Sequence, residues 1–96
     1  MSSIKKRVFE IVKQIPKGKV MTYKQIADKI NSSPRAVAKI LSCNMNPIRI
    51  PCYRVIRSDG YIGGYTYYGK FNSGMKEKLL KKEGVKMERG KIINHL

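Results

Sequence analysis

Thr22-Tyr23-Lys24-Gln25-Ile26-Ala27-Asp28-Lys29-Ile30, then Asn31-Ser32-Ser33, then Pro34-Arg35-Ala36-Val37-Ala38-Lys39-Ile40-Leu41 is the stretch that decides the fold. Thr22-x-x-Gln25 has the form of a capping box, in which a hydroxyl and a side-chain amide satisfy backbone amides left free at a helix start. Ile26, Ala27 and Ile30 follow on one stripe, which predicts a short helix from about Tyr23 to Ile30. Asn31-Ser32-Ser33 breaks it. Ser33 is placed to cap a second helix whose first position is Pro34, where a missing N–H costs nothing. That helix is expected to reach about Cys43. Two short helices joined by a polar turn form a helix-turn-helix, and where such motifs bind DNA the second helix enters a groove.

Toward the N-terminus, Ile4, Val8, Ile11, Val12 and Ile15 keep the three-and-four spacing of a helix with one buried face, and Pro16 and Gly18 stop it. Val20 and Met21 are expected to pair briefly as a strand. Toward the C-terminus, residues 44–54 carry Pro47 and Pro51 and read as an ordered crossing loop. Val55-Ile56 and Tyr61-Ile62 flank Arg57-Ser58-Asp59-Gly60, the pattern of a hairpin, and predict a wing. Met75, Leu79 and Leu80 mark a last helix ending at Gly84, and residues 85–87 and 91–93 around Gly90 suggest a terminal hairpin. The expected fold is mainly α with a small β wing: one winged helix-turn-helix domain over residues 1–96, with the helix pair at about 23–43 and a candidate active-site loop at 44–57.

The 96 residues carry 21 Lys and Arg against 6 Asp and Glu, a net charge of +15. Charge of that size repels itself and favours a polyanionic partner. Nucleic acid leads, because phosphate contacts release counterions; a merely soluble basic surface is the plain alternative. A membrane surface competes poorly, since no apolar run approaches the ~20 residues of a spanning helix and no leader or lipidation motif is recognised. Cys43 and Cys52 suit free thiols in a reducing cytoplasm better than a disulfide framework. With His95 the lone histidine, Cys and His cannot fill a four-ligand zinc site, and a Ser-His-Asp triad is excluded. No cofactor is expected.

Cys52 follows Pro51 in a loop flanked by Arg49, Arg54 and Arg57, a setting of positive charge that favours thiolate. Two readings remain open from the residues alone: a nucleophile, or a small buried hydrophobe.

Asn44, Pro47, Ile48, Ile50, then Pro51-Cys52-Tyr53-Arg54-Val55-Ile56, Asp59-Gly60 and Ile62-Gly63-Gly64-Tyr65 resemble the active-site segment of the O6-alkylguanine-DNA alkyltransferases. That family carries Pro-Cys-His-Arg-Val in its C-terminal DNA-binding and active-site domain. The likeness extends through Val8-Phe9, Pro16-x-Gly18, Thr22-Tyr23, Pro34-Arg35-Ala36-Val37 and Leu79-Leu80-x-x-Glu83-Gly84. It implies that Cys52 accepts an alkyl group from guanine O6 in double-stranded DNA, once and irreversibly, after the nucleotide is flipped out.

On the same pattern Arg35 would fill the gap left by the flipped base, with Thr22 and Ala36 among the DNA contacts. Tyr23 would press on the nucleotide's phosphate and donate its hydroxyl to the departing purine. Asn44 would tie the helix pair to the active-site loop, and carbonyls of Cys52 and Val55 would accept from the guanine amino group. Tyr65, Thr66 and Arg54 would border the alkyl pocket, and Glu83 would orient the activating residue. The resemblance implies a monomer needing neither metal nor cofactor.

Four departures stand out. Tyr53 replaces the family's His, and a phenol is a poor base at neutral pH. Met45 replaces the first Pro of the loop, the stretch from Tyr67 to Gly74 is longer and bulkier than the family's pocket lip, and the family's N-terminal domain is expected to be missing. Two other readings are an alkyltransferase-like protein that binds lesions without transfer, typically with Trp in place of the cysteine, and a winged-helix transcription regulator.

If Arg35 is the inserted side chain, Arg35→Ala weakens binding to a lesion-bearing duplex far more than loss of Lys91, in affinities measured across a salt series. Equal losses would argue against that role.

Overall fold

The computed structural model describes residues 4–44, 46, 49–63, 66–67, 70–71 and 73–93, with backbone alone at 66–67, 70–71 and 73. Thr22 opens α2 (Tyr23–Ile30): its hydroxyl accepts from the Gln25 amide at 3.0 Å, and the Gln25 side chain accepts from the Thr22 amide at 2.8 Å. The capping box is reciprocal, so two orphan donors are satisfied by one pair of residues. Asn31, in the left-handed region at φ 56, ends the helix, a conformation its short polar side chain tolerates. Ser33 then caps α3 (Pro34–Ser42) by accepting from the Ala36 amide at 3.1 Å.

Helix α1 (Ile4–Lys13) packs against both. Val8, Val12, Ile26, Ala27 and Val37 are fully enclosed where the three helices meet, and Leu80 from α4 (Ser73–Lys82) is enclosed in the same core. The expected helices are present, with α3 one residue short of Cys43, which forms its cap.

The strands rearrange the expected wing. Strand β1 (Met21–Thr22) pairs in parallel with β2 (Val55–Ile56), Met21 opposite Val55 and Thr22 opposite Ile56. Val55-Ile56 therefore does not pair with Tyr61-Ile62. The turn at residues 57–60 does close, with the Gly60 amide donating to Arg57 and the Arg57 amide to Tyr61. Beyond it, Tyr61 bridges Lys91, the Ile62 amide donates to Gly90, and Ile92 donates to Gly60. The physical reason is burial: Val55 and Ile56 are both enclosed, and a short parallel pair against β1 places them in the core that a solvent-side hairpin would leave half open.

Strands β3 (Thr66–Tyr67) and β4 (Lys70–Phe71) form an antiparallel pair that the sequence reading did not foresee. The terminal hairpin is present as β5 (Met87–Glu88) and β6 (Lys91–Ile92), turning through Arg89 at φ 52 and Gly90 at φ 80. Two successive positive-φ residues give the turn a twist that matches its strands.

Because Ser33 is the side-chain cap of α3, Ser33→Ala is expected to lower unfolding stability by about 1 kcal/mol, read as a lower urea midpoint at unchanged slope.

Candidate active site

Pro51 leads into a single 3-10 turn, Cys52–Arg54. With three residues per turn, successive side chains leave the axis about 120° apart, so Cys52 enters different surroundings from the two residues that follow it. Cys52 turns inward and is 5% exposed. Asn44, 1% exposed just past α3, reaches over it: its Nδ2 donates to the Ile50 carbonyl at 2.8 Å and to the Cys52 Sγ at 3.2 Å. Its Oδ1 accepts from the Asn46 amide at 2.9 Å. One buried amide thus binds the helix pair, the crossing loop and the sulfur together.

Tyr53 and Arg54 turn toward Glu83, at the end of α4. Arg54 grips the carboxylate with two nitrogens, Nε to Oε1 at 3.0 Å and Nη2 to Oε2 at 2.6 Å, while Nη1 donates to the Ile15 carbonyl at 2.7 Å. The Tyr53 hydroxyl donates to Oε2 at 2.5 Å, and the Gly18 amide donates to Oε1 at 3.4 Å. Gly18 stands at φ +84, a conformation that residues with a side chain rarely adopt, and a Cβ there would press on the Glu83 carbonyl oxygen at 3.2 Å.

Burial by itself would raise the Glu83 carboxyl, but the hydrogen bonds from Arg54, Tyr53 and Gly18 outweigh it and hold the group below its ordinary value of 4.5. Burial, then the bond to Glu83, pushes the Tyr53 phenol up to about 12. Tyr53 is therefore a neutral donor whose proton is already committed. Its hydroxyl is spent on a carboxylate and braces the turn against Glu83.

The arginines that flank Cys52 in sequence are also engaged elsewhere. Arg54 is on Glu83, Arg57 pairs with Asp59 at 2.9 Å on the surface, and Arg49 is exposed. Lys76, in the middle of α4, is fully enclosed on the helix that packs against the Cys52–Arg54 turn. Its ammonium lies over the Tyr23 ring, 5.7 Å from the centroid. Burial lowers Lys76 to about 8, partly opposed by negative charge on Cys52. Burial, then the same charge, raises Tyr23 to about 12. Sequence reading missed Lys76; the signal available was a lysine one helical turn before Leu80 on the apolar stripe.

The structure brings Cys52, Asn44, Tyr23, Tyr53, Arg54 and Glu83 into one region. Val55 is enclosed in β2, directly after the turn, and Thr22 is shared between β1 and the α2 cap. Arg35 and Ala36 occupy the first turn of α3, Arg35 exposed. Tyr65 lies outside the described residues, and Thr66 is described only as backbone in β3, opposite Phe71. Among the described residues, no group of three or more His, Cys, Asp or Glu could hold a metal ion, and no helix is long and apolar enough to cross a membrane.

Fold and site together define a helix-turn-helix domain that sequesters a cysteine against the start of its own first motif helix. Residues 3–85 match the family described as 6-O-methylguanine DNA methyltransferase, DNA binding domain, and the chain belongs to that family. The match is to a DNA-binding domain, and the expected label of a C-terminal domain is not carried over from it. The methylated-DNA--protein-cysteine methyltransferase of Saccharolobus solfataricus is 54% identical over 80 residues, which cover 83% of this chain and 50% of that protein. The chain spans about half the length of the curated relatives it matches. Mycobacterium tuberculosis OGT in complex with DNA is similar at TM-score 0.75 and 33% identity, over 86% of this chain and 50% of that one. S. pombe Atl1 in complex with damaged DNA containing O6-carboxymethylguanine is similar at TM-score 0.77 and 27% identity, over 96% of this chain and 90% of that one.

Glu83→Gln leaves the Arg54 guanidinium facing a neutral partner and is expected to cost on the order of 3 kcal/mol in unfolding free energy. The depressed Glu83 carboxyl contributes stability that is complete above its ordinary value of 4.5 and is lost as pH falls through its lower folded value. Stability measured from about pH 6 down to about pH 3 therefore declines less steeply in Glu83→Gln than in the wild type.

Proposed function

We propose that this domain repairs O6-alkylguanine in double-stranded DNA by moving the alkyl group, a methyl in the simplest case, irreversibly onto Cys52. The observation that carries the reading is the buried Sγ at the head of the Pro51-led turn, held by Asn44 in a domain of this family. In the transfer a bond forms between Sγ and the methyl carbon, the carbon–O6 bond breaks, and the electron pair leaves with the purine. Each molecule acts once.

The carbon must lie in line with a sulfur that is itself enclosed, so the nucleotide has to leave the stack and enter the fold. Arg35, exposed at the start of α3, takes the vacated place, with Thr22 and Ala36 among the DNA contacts. Tyr23, neutral because its phenol is raised to about 12, donates a hydrogen bond to the departing purine. The Cys52 carbonyl already accepts the Val55 amide and keeps a second lone pair for the guanine amino group, with the Val55 carbonyl beside it. By resemblance to the family, Tyr65 and Thr66 are the residues assigned to the alkyl pocket, while Arg54 braces the turn through Glu83. A net charge of +15 supports DNA as the partner, and two free cysteines suit a reducing cytoplasm.

A second reading is lesion binding without transfer, favoured by the near full-length likeness to S. pombe Atl1 in its complex with damaged DNA. Incubation with a duplex containing O6-methylguanine is expected to add one methyl mass to the peptide bearing Cys52 and none to that bearing Cys43. Tight lesion binding with no added mass after long incubation would establish the second reading.

A further inference from the structure

Tyr53 cannot take the Cys52 proton, because its own hydroxyl donates to Glu83 and Glu83 is occupied by Arg54. The groups that face the sulfur are others. Helix α4 packs against the Cys52–Arg54 turn and carries Lys76 fully enclosed, and α2 presents Tyr23 to the same space. The acids of this region of α4 are Glu77, which pairs with Lys81 at 2.9 Å at the surface, and Glu83, in the Arg54 cluster. Lys76 and Tyr23 both sense charge on Cys52. An apolar residue of similar length would fill this position at no electrostatic cost.

From the enclosed cluster of Lys76, Tyr23 and Asn44 around Cys52, we infer that Lys76 is the group that accepts the Cys52 thiol proton, in the place where relatives of this family use a histidine next to the cysteine. The inference rests on the transfer reading above. The proton passes from Sγ to the Lys76 amine, leaving a thiolate beside an ammonium. The thiolate displaces the purine, so that S–C forms as C–O6 breaks, and the purine anion then takes the proton from the ammonium. One proton has moved from sulfur to purine, and Lys76 ends as it began. Lys76 at about 8 is suited to this exchange, since a buried amine near neutrality gives and takes a proton at little cost.

The test uses the intact chain and needs no DNA in its first two arms. Iodoacetamide modification is followed by mass spectrometry on the Cys52 and Cys43 peptides, with exposed Cys43 as internal reference. Lys76→Met is expected to reduce the Cys52-to-Cys43 rate ratio at neutral pH by about tenfold or more, and to move the Cys52 rate profile to higher pH. Tyr53→Phe is expected to move that profile less. An unchanged ratio in Lys76→Met, or the larger shift in Tyr53→Phe, overturns the inference.

Should Lys76→Met fail to fold, the wild type supplies the answer through the Lys76 Nζ signal in nitrogen NMR. Capping Cys52 with a neutral alkyl group removes the negative charge, so Lys76 is expected to titrate at lower pH afterwards; an unmoved titration overturns the inference. The third arm is single-turnover transfer from an O6-methylguanine duplex. Coupling in the first arms with no transfer by the wild type sinks the proposed activity and leaves the Lys76–Cys52 pair standing. Equal transfer rates in wild type and Lys76→Met sink the role of Lys76 and leave the activity.

Discussion

Glu83 collects on one carboxylate the Tyr53 hydroxyl, two nitrogens of Arg54 and the Gly18 amide, and Arg54 in turn holds the Ile15 carbonyl. Three stretches that the chain keeps far apart converge there: the turn after α1 that carries Ile15 and Gly18, the Cys52–Arg54 turn and the end of α4. The guanidinium and carboxylate are 15% and 8% exposed, so their charges are worth having only while they face each other. That pairing sets the rotation of the 3-10 turn. With Tyr53 and Arg54 committed to Glu83, the third direction of the turn points Cys52 inward, under Asn44.

The parallel pair of β1 and β2 adds the second constraint. It places Met21 and Thr22 against Val55 and Ile56, so the capping box that starts α2 sits next to the strand that leaves the active-site turn. Tyr23, the first residue of α2, is thereby delivered to the cysteine together with Lys76 from α4. The helix pair and the Cys52 turn are thus joined at one helix start.

Local signals were legible where local chemistry decides. The caps at Thr22 and Ser33, the break at residues 31–33 and the apolar stripes of α1 to α4 each depend on residues within a few positions, and they read correctly. The Asp59-Gly60 turn was also legible, yet its strands were assigned to the wrong partners. Turn chemistry fixes only how a chain reverses; whether Val55 and Ile56 pair with Tyr61 or with Met21 depends on which arrangement buries them. In the site, Cys52, Asn44 and Glu83 stood out from the motif. Lys76 did not, because a single lysine on a basic helix looks like a surface residue until its burial is known.

The sequence by itself determined that a helix-turn-helix would form, that a cysteine would follow a proline in the loop behind it, and that tyrosine rather than histidine would stand next to that cysteine. Each is a matter of residue identity and short spacing. Tertiary structure decided the electrostatic setting of the sulfur. Arg54 and Arg57 are paired with Glu83 and Asp59, Arg49 is exposed, and the lysine enclosed on the helix behind the turn lies twenty-four positions away in sequence. Charge acts through space and in proportion to burial, so the environment of Cys52 belongs to the packing of α4 on the turn and not to the order of residues along it.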